Sequence, residues 1–69
     1  MGLVTEMGWS YIRDGHHHRY IQDFPSLEET MREASIMTLS LLKADYKEWR
    51  VTVYHEGKEL YHTTNLPTL

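Results

Sequence analysis

The dipeptide Asp14-Gly15 constrains this chain more than any other feature. It stands between two runs rich in aromatic and β-branched residues, MGWSYIR (7–13) and HHHRYI (16–21). A two-residue Asp-Gly between such runs is the strongest short hairpin signal, because both central positions of a type I′ turn need φ > 0. The turn also fixes the register, with Arg13 opposite His16, Ile12 opposite His17, Tyr11 opposite His18, Ser10 opposite Arg19 and Trp9 opposite Tyr20. Strand alternation then puts Met7, Trp9, Tyr11, Arg13, His16, His18 and Tyr20 on one side, and Ser10, Ile12, His17, Arg19 and Ile21 on the other. Turning the second set inward would bury Arg19 without a partner, at a cost of several kcal/mol. Trp9, Tyr11 and Tyr20 are therefore expected beneath whatever covers the sheet, and Ile12, His17, Arg19 and Ile21 outside it.

Ser26 with Glu29 three residues later forms a capping box, and Glu28 and Glu29 suit the positive end of a helix dipole. Leu27, Met31, Ala34, Thr38, Leu41 and Leu42 recur at helical spacing as one stripe, which predicts a helix laid on a sheet and ending between residues 44 and 47 without a glycine cap. Ile36 and Leu39 fall away from that stripe, beside Arg32 and Lys43, and mark a candidate oligomer interface. Residues 49–55 alternate, Glu56-Gly57 repeats the turn signal, and 58–63 read as a last strand. A two-residue loop there sets Val53 opposite Leu60, Thr52 opposite Tyr61 and Val51 opposite His62. The core side is then Trp49, Val51, Val53 and Leu60.

The expected fold is an α+β domain of order ββαββ, a four-stranded antiparallel sheet with one helix packed on one face. It spans residues 7–66, with 1–6 and 67–69 as flexible ends. The outer sheet face carries Ile12, Ile21, Tyr54 and Tyr61 interleaved with Arg19, Arg50 and Glu59.

Sixty-nine residues bury only about 60% of the surface their unfolded chain exposes, so stability is marginal without reinforcement. There is no cysteine for a disulfide or a thiolate metal site, which leaves self-association or a partner as the route. The net charge of −3 and the seven scattered basic residues argue against a phosphate-tracking surface. No apolar run approaches the roughly 18 residues of a membrane span, and residues 1–9 lack the pattern of a secretory signal. A cytoplasmic protein that meets another protein, and neither a membrane nor nucleic acid, is the expectation.

His16, His17 and His18 suggest a metal site, but adjacent strand residues point to opposite faces, so His17 cannot join the other two. A site would need His16, His18 and a third ligand such as His62 or Asp14. The run reads more simply as polar strand positions, and no metal or cofactor is assigned. Catalysis has little support, with no cysteine, no G-x-S-x-G elbow and no glycine-rich phosphate loop. A four-stranded sheet with one helix also leaves little room for a pocket of about 300 Å³ or more. Aromatic residues with arginine are the types enriched at interfaces. Ile12, His17, Arg19, Ile21, Arg50, Tyr54 and Tyr61 are therefore the candidate partner-binding residues.

Two family likenesses run through these elements. The pattern Tyr11-x-x-Asp14-Gly15, Leu27-Glu28-Glu29 leading to Glu33-Ala34, Trp49-x-Val51-x-Val53 and Glu56-Gly57-Lys58 resembles a family of small bacterial domains of unknown function. Phe24-Pro25-Ser26-Leu27-Glu28-Glu29 is similar to the sheet-to-helix junction of HicB-type antitoxins, a resemblance that implies a sheet packed on one helix and action by binding a toxin. The chain departs from the antitoxin pattern in its long apolar helix and in having no recognisable DNA-binding tail. The expected function is that of a non-catalytic small acidic protein that covers a surface of a partner protein as a homodimer. Inhibitors, antitoxins and phage proteins directed against host or defence factors work in this way. The alternatives are a single-stranded nucleic-acid binder stacking bases on Tyr54 and Tyr61, and a histidine-dependent metal module.

Overall fold

A computed structural model of the protein describes residues 5–65. The elements follow in the order β1 (Thr5–Arg13), β2 (His16–Phe24), α1 (Leu27–Lys43), β3 (Lys47–His55) and β4 (Lys58–Thr64). The strands form one antiparallel sheet in the order β2-β1-β3-β4, with α1 against one face, so the fold is the ββαββ α+β arrangement. Thr5 and Glu6, assigned above to a flexible end, belong to a central strand. Residues 1–4 and 66–69, which include the expected boundary at residue 66, lie outside the described residues.

Both hairpins close as their turn residues require. Asp14 and Gly15 have φ of 53° and 79°, and Glu56 and Gly57 have 54° and 79°, the paired positive values of type I′ turns. The first hairpin runs without interruption from Arg13↔His16 to Thr5↔Phe24, in the register read from the turn. Helix α1 opens on Ser26, whose extended backbone (φ −145°, ψ 156°) lets its hydroxyl accept the Glu29 N–H at 3.1 Å. The helix closes at Ala44, and Asp45, at φ 56°, takes the left-handed position that glycine usually fills. A short side chain that can bond its own backbone makes that conformation tolerable.

The core is Met7 from β1, Ala34 and Leu41 from α1, and Trp49, Val51 and Val53 from β3, flanked by Trp9, Tyr11, Phe24, Met31, Met37 and Tyr46. A helix is about 10 Å across and strands lie ~4.8 Å apart, so one helix covers two strands and leaves the edges bare. Three expectations fail for this reason. Tyr20 lies on the helix side of edge strand β2 but is 47% exposed, and Leu27 and Leu42, expected in the buried stripe, are exposed as well. The helix-side face of β4 is open too, since α1 packs mainly on β3 and β1.

Two irregularities in the ladders redirect side chains. Between β1 and β3 the register slips so that Ser10↔Arg50 is followed by Ile12↔Lys47, with Glu48 (φ 48°) the extra residue. Between β3 and β4 the pairs are Tyr54↔Glu59 and then Val53↔Tyr61, with Leu60 inserted. The expected pairs Val53 with Leu60, Thr52 with Tyr61 and Val51 with His62 are therefore wrong by one residue. Thr52 pairs with His62 and Val51 with Thr63. Leu60 is 54% exposed instead of forming core, and Tyr61 shares the helix side with Val53 instead of standing on the outer face. Polar satisfaction accounts for the slip, because it gathers Glu59 and His62 beside Arg50 on the outer face. It also seats Thr64 and Asn65 on the Trp49 backbone: Thr64 Oγ1 donates to the Trp49 carbonyl at 2.7 Å, and Asn65 Oδ1 accepts the Trp49 N–H at 2.9 Å.

Candidate functional site

The strand order lines up two rows of side chains on the face that α1 does not cover. One row is Ile21, Gly8, Thr52 and His62, and the next is Arg19, Ser10, Arg50 and Thr64. Glycine and serine at the middle of these rows leave a depression of about 490 Å³ walled by Ile21, Arg19, Arg50 and Tyr54. The Tyr54 ring leans over Gly8, so a methyl group there would stand 3.5 Å from its Cε2. This volume exceeds the small pocket expected above. It arises where two small residues on β1 lie between long side chains of β2 and β3.

The two arginines of the depression differ in electrostatic state. Arg50 is held, its Nη2 donating to Glu59 Oε1 at 3.2 Å and its Nε to Thr52 Oγ1 at 3.2 Å, and Glu59 Oε2 in turn lies 3.0 Å from His62 Nδ1. Arg19 has no ion-pair partner among the described residues. The depression thus offers one neutralised and one uncompensated guanidinium beside an apolar wall. That combination suits a partner's carbonyls or carboxylate with an aliphatic neighbour.

The sequence-derived candidates fall in three places. Arg19, Ile21, Arg50 and Tyr54 line the depression, and Ile12 and His17 continue the same face toward the hairpin tip. Tyr61, which the bulge turns over, is 44% exposed on the opposite side. Ile36 and Leu39 are exposed on α1, outside its packed stripe. His17 pairs with Ile12 on the outer face, whereas His16 and His18 lie with Arg13 and Tyr11 on the helix side. Among the described residues no three His, Asp or Glu side chains come together as metal ligands. None of the helices is long and apolar enough to cross a membrane among those residues.

The helix side of the first hairpin carries an aromatic layer, of which sequence reasoning missed only Tyr46. Trp9 stacks on Tyr20 at 5.3 Å between ring centroids, Tyr11 on His18 at 5.1 Å and Tyr11 on Tyr46 at 4.5 Å. The hairpin register already placed Trp9 beside Tyr20 and Tyr11 beside His18, but Tyr46 lies in the helix-to-strand connection, where no periodicity locates it. Hydrogen bonding with the Tyr20 hydroxyl, then loss of hydration, raises the Tyr11 phenol above its ordinary pKa. The chain matches no known family model, no curated protein and no solved structure.

Proposed function

We propose that this is a non-catalytic cytoplasmic interaction protein. It covers a surface of a partner protein with its outer sheet face, and it does so as a homodimer, in the manner of inhibitors, antitoxins and phage proteins aimed at host or defence factors. The observation that carries this reading is the open depression around Gly8, with Tyr54 and two arginines at its rim and Ile21 beside them, 62% exposed. Tyrosine and arginine anchors around an apolar patch are what binding hot spots are made of. Ile12, His17, Arg19, Ile21, Arg50 and Tyr54 form the contact set, and Tyr61 leaves it.

Stacking of single-stranded nucleic acid on Tyr54 and Tyr61 would need both rings on one platform, and the bulge puts them on opposite faces. A net charge of −3 also leaves few cations for phosphates. Protein binding is therefore the reading kept.

Affinity capture from the native host, done in parallel with four forms of the protein, tests it. Wild type and Tyr61→Ala should retain one partner at equal yield, while Tyr54→Ala and Arg50→Ala should each lower its affinity by more than about tenfold, the range of a hot-spot truncation. Retention unchanged by the two outer-face variants would overturn the assignment of this face.

A further inference from the structure

Strand β2 is nine residues long, lies at the edge of the sheet, and pairs with β1 without a break in register. Edge strands expose a row of unpaired backbone groups, and proteins blunt them with lysine, proline, bulges or a covering element. The opposite edge, β4, has such protection in its bulge at Leu60, in Lys58 and in the Arg50–Glu59–His62 network. Between His16 and Phe24 there is no lysine, no proline and no bulge.

The hairpin turn decides which backbone groups of β2 are free. Arg13 and His16 flank a two-residue type I′ turn and so exchange both backbone hydrogen bonds, and every second pair after them does the same. His18, Tyr20 and Gln22 therefore turn their N–H and C=O groups toward β1. His17, Arg19, Ile21 and Asp23 turn theirs outward.

We infer that β2 pairs antiparallel with β2 of a second copy about a two-fold axis at Tyr20, giving one continuous eight-stranded sheet. This rests on the homodimer proposed above and specifies its interface. Only one register pairs all four outward residues: His17 with Asp23 of the second copy, Arg19 with Ile21, and the same pairs reversed. Sliding by two residues leaves at least one of the four unpaired, and sliding by one sets outward groups against groups already used. The side chains agree with this register. On the outer face a histidine opposes an aspartate at both ends, and Arg19 lies diagonal to the second copy's Asp23. On the helix side Tyr20 meets its own copy and extends the stack that Trp9 begins, while His18 opposes Gln22. Tyr20, 47% exposed on the helix side, becomes covered. Such an axis stands perpendicular to the sheet, so both helices lie on one side and both depressions open on the other.

The absence of cysteine makes the test direct. A non-hydrogen-bonded antiparallel pair has Cα atoms about 4.5 Å apart, inside the disulfide range of roughly 4.4–6.8 Å. Under mild oxidation Tyr20→Cys should convert to covalent dimer. His18→Cys and Gln22→Cys should each stay uncrosslinked alone but crosslink when mixed. In sedimentation, His17→Glu and Asp23→Lys should each weaken self-association about tenfold or more, and the double variant should recover it, as a direct charge pair requires. A wild-type dimer that fails to crosslink through Tyr20→Cys, or whose charge swap does not recover, overturns the β2 interface and leaves the homodimer standing. A wild-type monomer up to millimolar concentration overturns both.

Discussion

Among the described residues, four other than glycine hold positive φ: Asp14, Asp45, Glu48 and Glu56. The two aspartates have short side chains that bond locally and tolerate the left-handed region, whereas glutamate carries the full crowding of its Cβ, roughly 1–2 kcal/mol per residue. Glu48 is the plainer case, because its exposed side chain makes no ion pair among the described residues and serves only to occupy the bulge. Replacing Glu48 by glycine should raise stability by about 1 kcal/mol. The check is a higher urea midpoint with an unchanged slope. Gly8 is a glycine kept for a different reason. Its φ is not positive, and what matters is the missing side chain, which opens the floor of the depression beneath Tyr54.

Among the elements, α1 depends on its first turn. The Ser26 hydroxyl accepts the Glu29 N–H, and the Ser26 carbonyl accepts both the Thr30 N–H and the Thr30 hydroxyl, the latter at 2.7 Å. Ser26→Ala should cost about 1 kcal/mol and lower the thermal midpoint by several degrees, which calorimetry would register. That start was legible in the capping box, and the first hairpin was legible throughout, because a two-residue turn dictates every pair until something interrupts the ladder. In the second hairpin a bulge interrupts it after two pairs. Local sequence does not reveal such an insertion, since its justification is the meeting of Arg50, Glu59 and His62 from two strands. Tyr61 was misassigned for that reason alone. The outer-face residues of β1, β2 and β3 were legible from alternation, but the depression they line was not. It exists only because β1 sits between β2 and β3, and no local pattern encodes strand order. The exposure of Tyr20 and Leu42 likewise follows from the width of a helix relative to a sheet, a quantity outside any residue pattern.

For the whole molecule, the notable quantity is how little core there is. Among the described residues, six buried apolar side chains from three elements hold the sheet and helix together, and Trp49 is the largest of them. Truncating a buried tryptophan costs about 3–5 kcal/mol, while a domain near the lower end of foldable size has a total stability near the lower end of 5–15 kcal/mol. Trp49→Ala should therefore leave the isolated chain largely unfolded at room temperature, seen as loss of the strand and helix signals in far-ultraviolet circular dichroism. The placement of this core also bears on how the protein is made. A ribosome delivers β1, β2 and α1 before any of Trp49, Val51 and Val53 has been synthesised, so half of the six buried core residues arrive last. The central seam joins β1 to β3, so the growing chain emerges as a hairpin with its aromatic side wet. The core is complete only once β3 has cleared the exit tunnel.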